Sequence, residues 1–169
     1  KEGEKLMQGI FGPSFDYYAI RERRRELVRE RLAQYGLEKK PGVEETLRFL
    51  RAKGIKTAVA TATALDITKS HLTTIGVYDL FDSIVSAKNV AHGKPEPDVY
   101  LYACEQIGER PQDCMAVEDS PNGIMAAYRA GLRTVMVPDL TQPDEELTKY
   151  LYACVNSLSD LCELVDKED

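Results

Sequence analysis

Three groups of polar side chains stand where apolar runs end, and together they have the chemistry of phosphoryl transfer. Cys114-Met115-Ala116-Val117 leads into the acidic pair Glu118-Asp119, and Ser120-Pro121-Asn122-Gly123 follows. Ser120 suits a helix N-cap and Pro121 the first helical position, where no intrahelical partner for an N–H is lost. An acidic pair released by a strand into a helix mouth suits Mg²⁺, which takes one or two carboxylates, waters and substrate phosphate oxygens. Taken alone, such a pair is as well explained as a cap complementing the helix dipole. Thr61 ends the run Ile55 to Thr61 with a hydroxyl, and the amides beyond it can cradle an anion at a helix mouth. Alone, Thr61 reads as a helix cap. Lys94 stands between Gly93 and Pro95, where glycine permits close approach of the backbone and proline fixes the loop. Alone, it reads as solvated surface. A hydroxyl, an ammonium and two carboxylates at neighbouring strand ends are the parts that hold a phosphoryl group against Mg²⁺, and beyond them the reaction needs a nucleophile.

Order and absences narrow the class. A receiver domain also combines acid, hydroxyl and lysine, but there the acidic residues come first, and here they come last. No Gly-rich dinucleotide or P-loop fingerprint follows a strand. The 169 residues carry a net charge of −6, which argues against nucleic-acid binding through a basic face. No apolar run approaches the ~20 residues of a membrane span, and the polar opening Lys1-Glu2-Gly3-Glu4-Lys5 is no signal peptide. Cys104, Cys114, Cys154 and Cys162 form no C-x-x-C pair, and His71 and His92 are too few for a zinc site. Small core thiols in a reducing cytoplasm are expected. The chain starts at Lys1 with its first methionine at Met7, so a piece of a longer protein is expected.

The elements that must position these groups alternate. Residues 1–13, with three glycines and few apolar residues in register, predict a frayed or partial element. From Phe15 to Tyr35 the spacing of Tyr17, Ile20, Leu27, Val28, Leu32 and Tyr35 predicts a long helix. Its charged face (Arg21, Arg25 and Arg29 beside Glu22, Glu26 and Glu30) predicts i,i+4 pairs in solvent. A helix from Val43, a strand over 55–61, a helix over 65–75 and a strand over 83–86 follow, and then a loop over 87–95. Tyr100, Ala103, Cys104 and Ile107 make the apolar stripe of a helix opened by Pro97. Next come a strand over 114–118, a helix ending at Gly131, a strand over 134–137, a polar helix near 143–150, a short strand near 152–155 and a last helix from Ser159. Strands alternating with helices predict a parallel α/β sheet.

Three stretches carry a resemblance. Val59-Ala60-Thr61-Ala62-Thr63, Gly93-Lys94-Pro95-Glu96-Pro97-Asp98 and Val117-Glu118-Asp119-Ser120 with Gly123 resemble motifs two, three and four of the haloacid dehalogenase-like (HAD) hydrolases. The match is strongest to the beta-phosphoglucomutase-like branch with a helical cap. The resemblance spans about residues 15–165 and implies a Rossmann-like parallel sheet with helices on both faces. It implies that Thr61 and the amide of Ala62 bind the phosphoryl oxygens and that Lys94 neutralises them and the nucleophile. Glu118 and Asp119 would place Mg²⁺, with Asp119 the direct ligand.

One family feature is missing. No Asp-x-Asp-Gly turn precedes Thr61, and in the family its first Asp is the nucleophile and its second the general acid/base. That motif ends a central strand lying between those of Thr61 and Asp119, so without it the sheet is expected to be split. Residues 1–38 are expected to be a partial helical cap and 39–169 a core lacking its first strand. The resemblance implies a Mg²⁺-dependent phosphatase of a small phosphorylated metabolite, such as a sugar phosphate, working through an aspartyl phosphate on an upstream residue. A phosphomutase and a non-catalytic binding protein on the same fold are the rivals. A monomer or weak dimer with no nucleic-acid or membrane partner is expected, inactive as these 169 residues alone. His92 is expected to be a loop residue of no fixed role, and at least one of Tyr17 and Tyr18 to pack in a core.

Overall fold

Helices alternate with short strands in the computed structural model, which describes residues 2–167. Two compact units divide between Glu38 and Lys39. The first contains helix α1 (Glu2–Phe11) and helix α2 (Tyr17–Tyr35). The frayed element expected over 1–13 is instead helical. A Cβ at Gly3 would stand 2.7 Å from the Tyr17 hydroxyl, so glycine lets α1 lie against α2 there without displacing that ring. Phe11 stacks on Phe15 across the connecting turn, and Asp16 caps α2 by accepting the Ala19 N–H at 2.9 Å.

The apolar residues of α2 do not form a clean stripe, because Arg21, Arg24 and Arg31 fall on the same face, and no residue of this helix is buried. Of Tyr17 and Tyr18, Tyr17 is half-buried and Tyr18 exposed. The charged face pairs differently from the prediction. Glu22 takes Arg25 at i,i+3 and Arg29 two turns on, while Arg23 takes Glu26 and Glu30.

The second unit runs α3 (Val43–Ala52), β1 (Ala58–Thr61), α4 (Leu65–Thr74), β2 (Ser83–Ser86), α5 (Asp98–Ile107), β3 (Met115–Glu118), α6 (Pro121–Ala130), β4 (Arg133–Met136), α7 (Glu145–Thr148), β5 (Ala153–Cys154) and α8 (Asp160–Asp166). Strand β1 begins three residues later than the apolar run suggests. Ile55 is still held by the end of α3, its N–H bonding the Leu50 carbonyl, and Thr57 is tied to Leu80 and Asp82 by side-chain bonds. Each pairing is parallel: β1 with β2 from Ala58↔Ser83 to Thr61↔Ser86, β3 with β4 from Met115↔Arg133 to Glu118↔Met136, and β4 with β5. The architecture is α/β and Rossmann-like.

Among the described residues these strands form two sheets, β1-β2 and β3-β4-β5. Strands β1 and β3 therefore each keep one edge that pairs with no strand. Helix α5 ties the pieces together. Its Val99, Tyr100, Ala103 and Cys104 share one core cluster with Val85 of β2 and Ala116 of β3, and Ala58 and Ala60 of β1 pack against it. A cavity of about 730 Å³ opens between the two edges, lined by Ala58–Ala60 and Met115–Glu118, with Leu47, Leu50, Leu161 and Val165 among its apolar walls. Strands between helices in a parallel sheet are normally covered on both faces. Here no residue of β1 is fully buried, and Val117, inside β3, is 41% exposed.

The four cysteines are free thiols. Burial pushes the Cys104 thiol up to about 12, helped by the facing thiol of Cys114, which burial also raises. These two behave as small core residues, whereas Cys154 is exposed.

Candidate functional site

The predicted site residues all lie in the second unit: Thr61 and Ala62 at the carboxyl end of β1, Glu118 and Asp119 at that of β3, and Lys94 on the loop between β2 and α5. Thr61 is the last residue of β1, and its Oγ1 accepts the Thr63 N–H at 3.0 Å, which turns the chain toward α4. Ala62 and Thr63 are exposed on that turn. Buried Ser86, the last residue of β2, holds the turn from beneath by donating to the Thr63 carbonyl at 2.7 Å and accepting the Lys88 N–H at 3.2 Å. Sequence reasoning passed over Ser86. A small polar residue ending a strand beside Thr61 was the available signal.

Lys94 sits on a loop pinned at both ends. The Glu96 N–H bonds the Gly93 carbonyl at 3.0 Å. Arg129 of α6 donates to the Pro95 carbonyl at 3.1 Å and to the Glu96 carboxylate at 2.9 Å. The His92 N–H bonds the Asp98 carboxylate at 3.1 Å, and His92 Nδ1 lies 3.0 Å from it, so His92 fastens the loop to the start of α5. The ammonium of Lys94 donates to the Ala60 carbonyl at 3.2 Å, to the Tyr100 hydroxyl at 3.2 Å and to Glu118 Oε1. One cation thus reaches the ends of both β1 and β3.

Glu118 is the other centre of the cluster. Its carboxylate accepts from Lys94, Tyr100 and Ser120 Oγ, and from the Asp119 N–H at 3.3 Å. Ser120 in turn caps α6 by accepting the Gly123 N–H at 3.2 Å. Tyr100 lies on the α5 stripe, and its phenol donates to Glu118. Burial, and then the Glu118 charge beside it, hold that phenol well above the ordinary tyrosine range. Sequence reasoning placed Tyr100 in the core and missed its hydroxyl. The signal was present, because a tyrosine on a buried stripe must find a partner for its O–H.

The acidic pair therefore divides. Glu118 is committed to Lys94 and Tyr100, while Asp119 is exposed, donates its backbone N–H to Glu118 and sets its charge near the Tyr100 phenol. Among the described residues no three His, Cys, Asp or Glu gather as a metal cluster. A Mg²⁺ that draws the rest of its shell from water and substrate oxygens fits Asp119 as its carboxylate, with Glu118 behind it.

Gly123 is required by this packing. A Cβ there would overlap the Glu118 carboxylate. Alanine improves helix propensity by about 1 kcal/mol, but overpacking costs about 1–3 kcal/mol and displaces Glu118 from its donors. Gly123→Ala is expected to be net destabilising, visible as a lowered thermal midpoint. A raised midpoint would show that Glu118 is not held there.

The second unit is a Rossmann-like α/β core in which a loop lysine meets an acidic pair at the end of β3. Residues 11–131 match the sequence model of the haloacid dehalogenase-like hydrolases, and the chain belongs to that family. It is similar to hexitol phosphatase B of Escherichia coli, with 33% identity over 128 residues, 76% of this chain and 56% of that protein. It is also similar to CbbY of Rhodobacter sphaeroides, solved in complex with phosphate, at 31% identity and a TM-score of 0.66 over 72% of this chain and 55% of that one. Beta-phosphoglucomutase of Clostridium difficile shares the fold, with a TM-score of 0.74 at 24% identity over 96% of this chain and 72% of that one. The chain spans less than two thirds of the length of the first curated relatives it matches.

Proposed function

We propose that this chain belongs to a Mg²⁺-dependent phosphatase of a small phosphorylated metabolite, most fittingly a sugar phosphate, whose nucleophile is an aspartate outside these residues. The observation that carries the reading is the Lys94 ammonium held between the Ala60 carbonyl and Glu118. A fixed cation at that point neutralises both an approaching phosphoryl group and a carboxylate nucleophile, and positioning and charge are most of what phosphoryl transfer requires. Thr61 Oγ1 and the amide of Ala62 hold the phosphoryl oxygens on the β1 side. Asp119 is the direct ligand of Mg²⁺ and Glu118 orients Lys94 behind it. The metal, when bound, offsets charge on the phosphoryl oxygens. The nucleophile forms an aspartyl phosphate that water then hydrolyses. The name of hexitol phosphatase B supports the sugar-phosphate class.

The α1–α2 unit is assigned to a helical cap, and the core to the reducing cytoplasm. There it works as a monomer or weak dimer on a small substrate, without nucleic acid or membrane. No described helix is long and apolar enough to cross a membrane.

The test is phosphate release from an aryl phosphate by the protein carrying its upstream residues. Mg²⁺-dependent turnover is expected, and Asp119→Ala should lower it by about a thousandfold or more. The 169 residues alone should give none. Wild-type rates in Asp119→Ala would remove the metal assignment. Glucose 6-phosphate formed from beta-glucose 1-phosphate would identify transfer between hydroxyls, and so a phosphomutase, in place of hydrolysis.

A further inference from the structure

We infer that Tyr100 is a positioning residue of this site, its hydroxyl fixing the Lys94 ammonium and the Glu118 carboxylate relative to each other in the gap between the ends of β1 and β3. The inference uses the phosphatase reading only for its kinetic consequence. Tyr100 is 6% exposed and its ring packs with Val99, Ala103 and Cys104 in the core beneath β1 and β3. Phenylalanine would fill that space equally well, so the core does not call for the hydroxyl. The oxygen is used twice: it donates to Glu118 and accepts from Lys94 at 3.2 Å.

A lysine ammonium is a compact charge on a flexible stem with three rotatable donors, and nothing in its own geometry aims it. Here its three donors go to Ala60, Tyr100 and Glu118, and the Tyr100 ring lies 4.7 Å below it. Two of those partners report the ends of separate sheets, and those sheets share no strand among the described residues. Tyr100 is the partner carried by α5, the helix that packs on β1 and β2 and shares a core cluster with Ala116 of β3. It therefore transfers the rigidity of the helix to a cation that otherwise hangs on a loop.

Two measurements test this. In the present chain, labelled with ¹⁵N-lysine, an ammonium held by three hydrogen bonds gives a slowly exchanging Lys94 signal. Tyr100→Phe should lose that signal while the thermal midpoint stays within about 3 °C of wild type. In the protein carrying its upstream residues, Tyr100→Phe should lower kcat about tenfold, the worth of one hydrogen bond to a charged group, with KM within about twofold. A purely packing role would move the midpoint and spare kcat. A wild-type chain without the ammonium signal, a Tyr100→Phe chain that keeps it, or an unchanged kcat in an active protein would overturn the inference. If the wild-type protein turns over no phosphate ester, the phosphatase reading fails, and the ammonium signal alone decides the role of Tyr100.

Discussion

Lys94→Met is expected to lower the unfolding free energy of this chain by about 3 kcal/mol, the penalty for leaving one member of a buried ion pair without its partner. The Lys94 and Glu118 side chains are 16% and 8% exposed, so neither charge has water to fall back on. Methionine keeps the unbranched stem and its packing, so the loss isolates the charge. Glu118 would retain Tyr100 and Ser120 as donors, but no cation. Adding Glu118→Gln should then restore about 2 kcal/mol, because a neutral carboxamide keeps a carbonyl oxygen for the Tyr100 hydroxyl and can donate its N–H to Ser120 Oγ without needing a counter-charge. Urea denaturation of the three chains at one pH, compared at equal slope, reads this directly. A Lys94→Met chain within about 0.5 kcal/mol of wild type would place the pair with the weak, solvated surface bridges. It would also remove the basis for a fixed cation at the strand ends.

Most of the second unit was legible because its boundaries are chemical. Gly54, Gly76, Gly108 and Gly131 end helices or follow them with positive φ, and Ser120 and Asp144 cap α6 and α7 through their side chains. The site was legible for the same reason: Thr61, Lys94 and Glu118-Asp119 stand where strands or loops stop, and stops are what sequence marks best. The failures have physical causes. Helix α1 was missed because its glycines count as breakers in composition, although Gly3 lies against the Tyr17 ring where a larger side chain would crowd it. The apolar residues of α2 recur near the helical period, yet Arg21, Arg24 and Arg31 share their face, so the spacing of the apolar residues alone overstated a buried stripe. Adjacency in sequence also hid the division of labour between Glu118 and Asp119. Successive residues at a strand end point to opposite sides, so one carboxylate turned inward to Lys94 and the other outward.

A parallel strand supplied to the gap between β1 and β3 is expected to raise the thermal midpoint of this chain by on the order of 10 °C, the consequence of about 3–5 kcal/mol added to a domain of this size. Each flanking strand is four residues long and presents one row of backbone groups that no strand among the described residues pairs with. The cavity between them, about 730 Å³, has mainly aliphatic walls. An extended segment of four or five residues seated there would be covered on both faces, so its side chains should be continuously apolar and β-branched. Each such side chain contributes about 2 kcal/mol on burial, and each ladder bond about 1 kcal/mol. Together these exceed the roughly 1.5–2 kcal/mol spent in ordering each residue. Running parallel to β1 and β3, the segment would end beside Lys94, which is where an aspartate following it would find its cation. The test adds a synthetic peptide of that pattern and follows melting together with amide exchange in β1 and β3. The amides facing the gap should exchange quickly in this chain and slow by tenfold or more, as an order of magnitude, once the strand is in place. The same peptide with a central proline should do neither, since it lacks a donor that the ladder needs. Equal effects from both peptides would mean that the cavity takes up apolar side chains without pairing a strand.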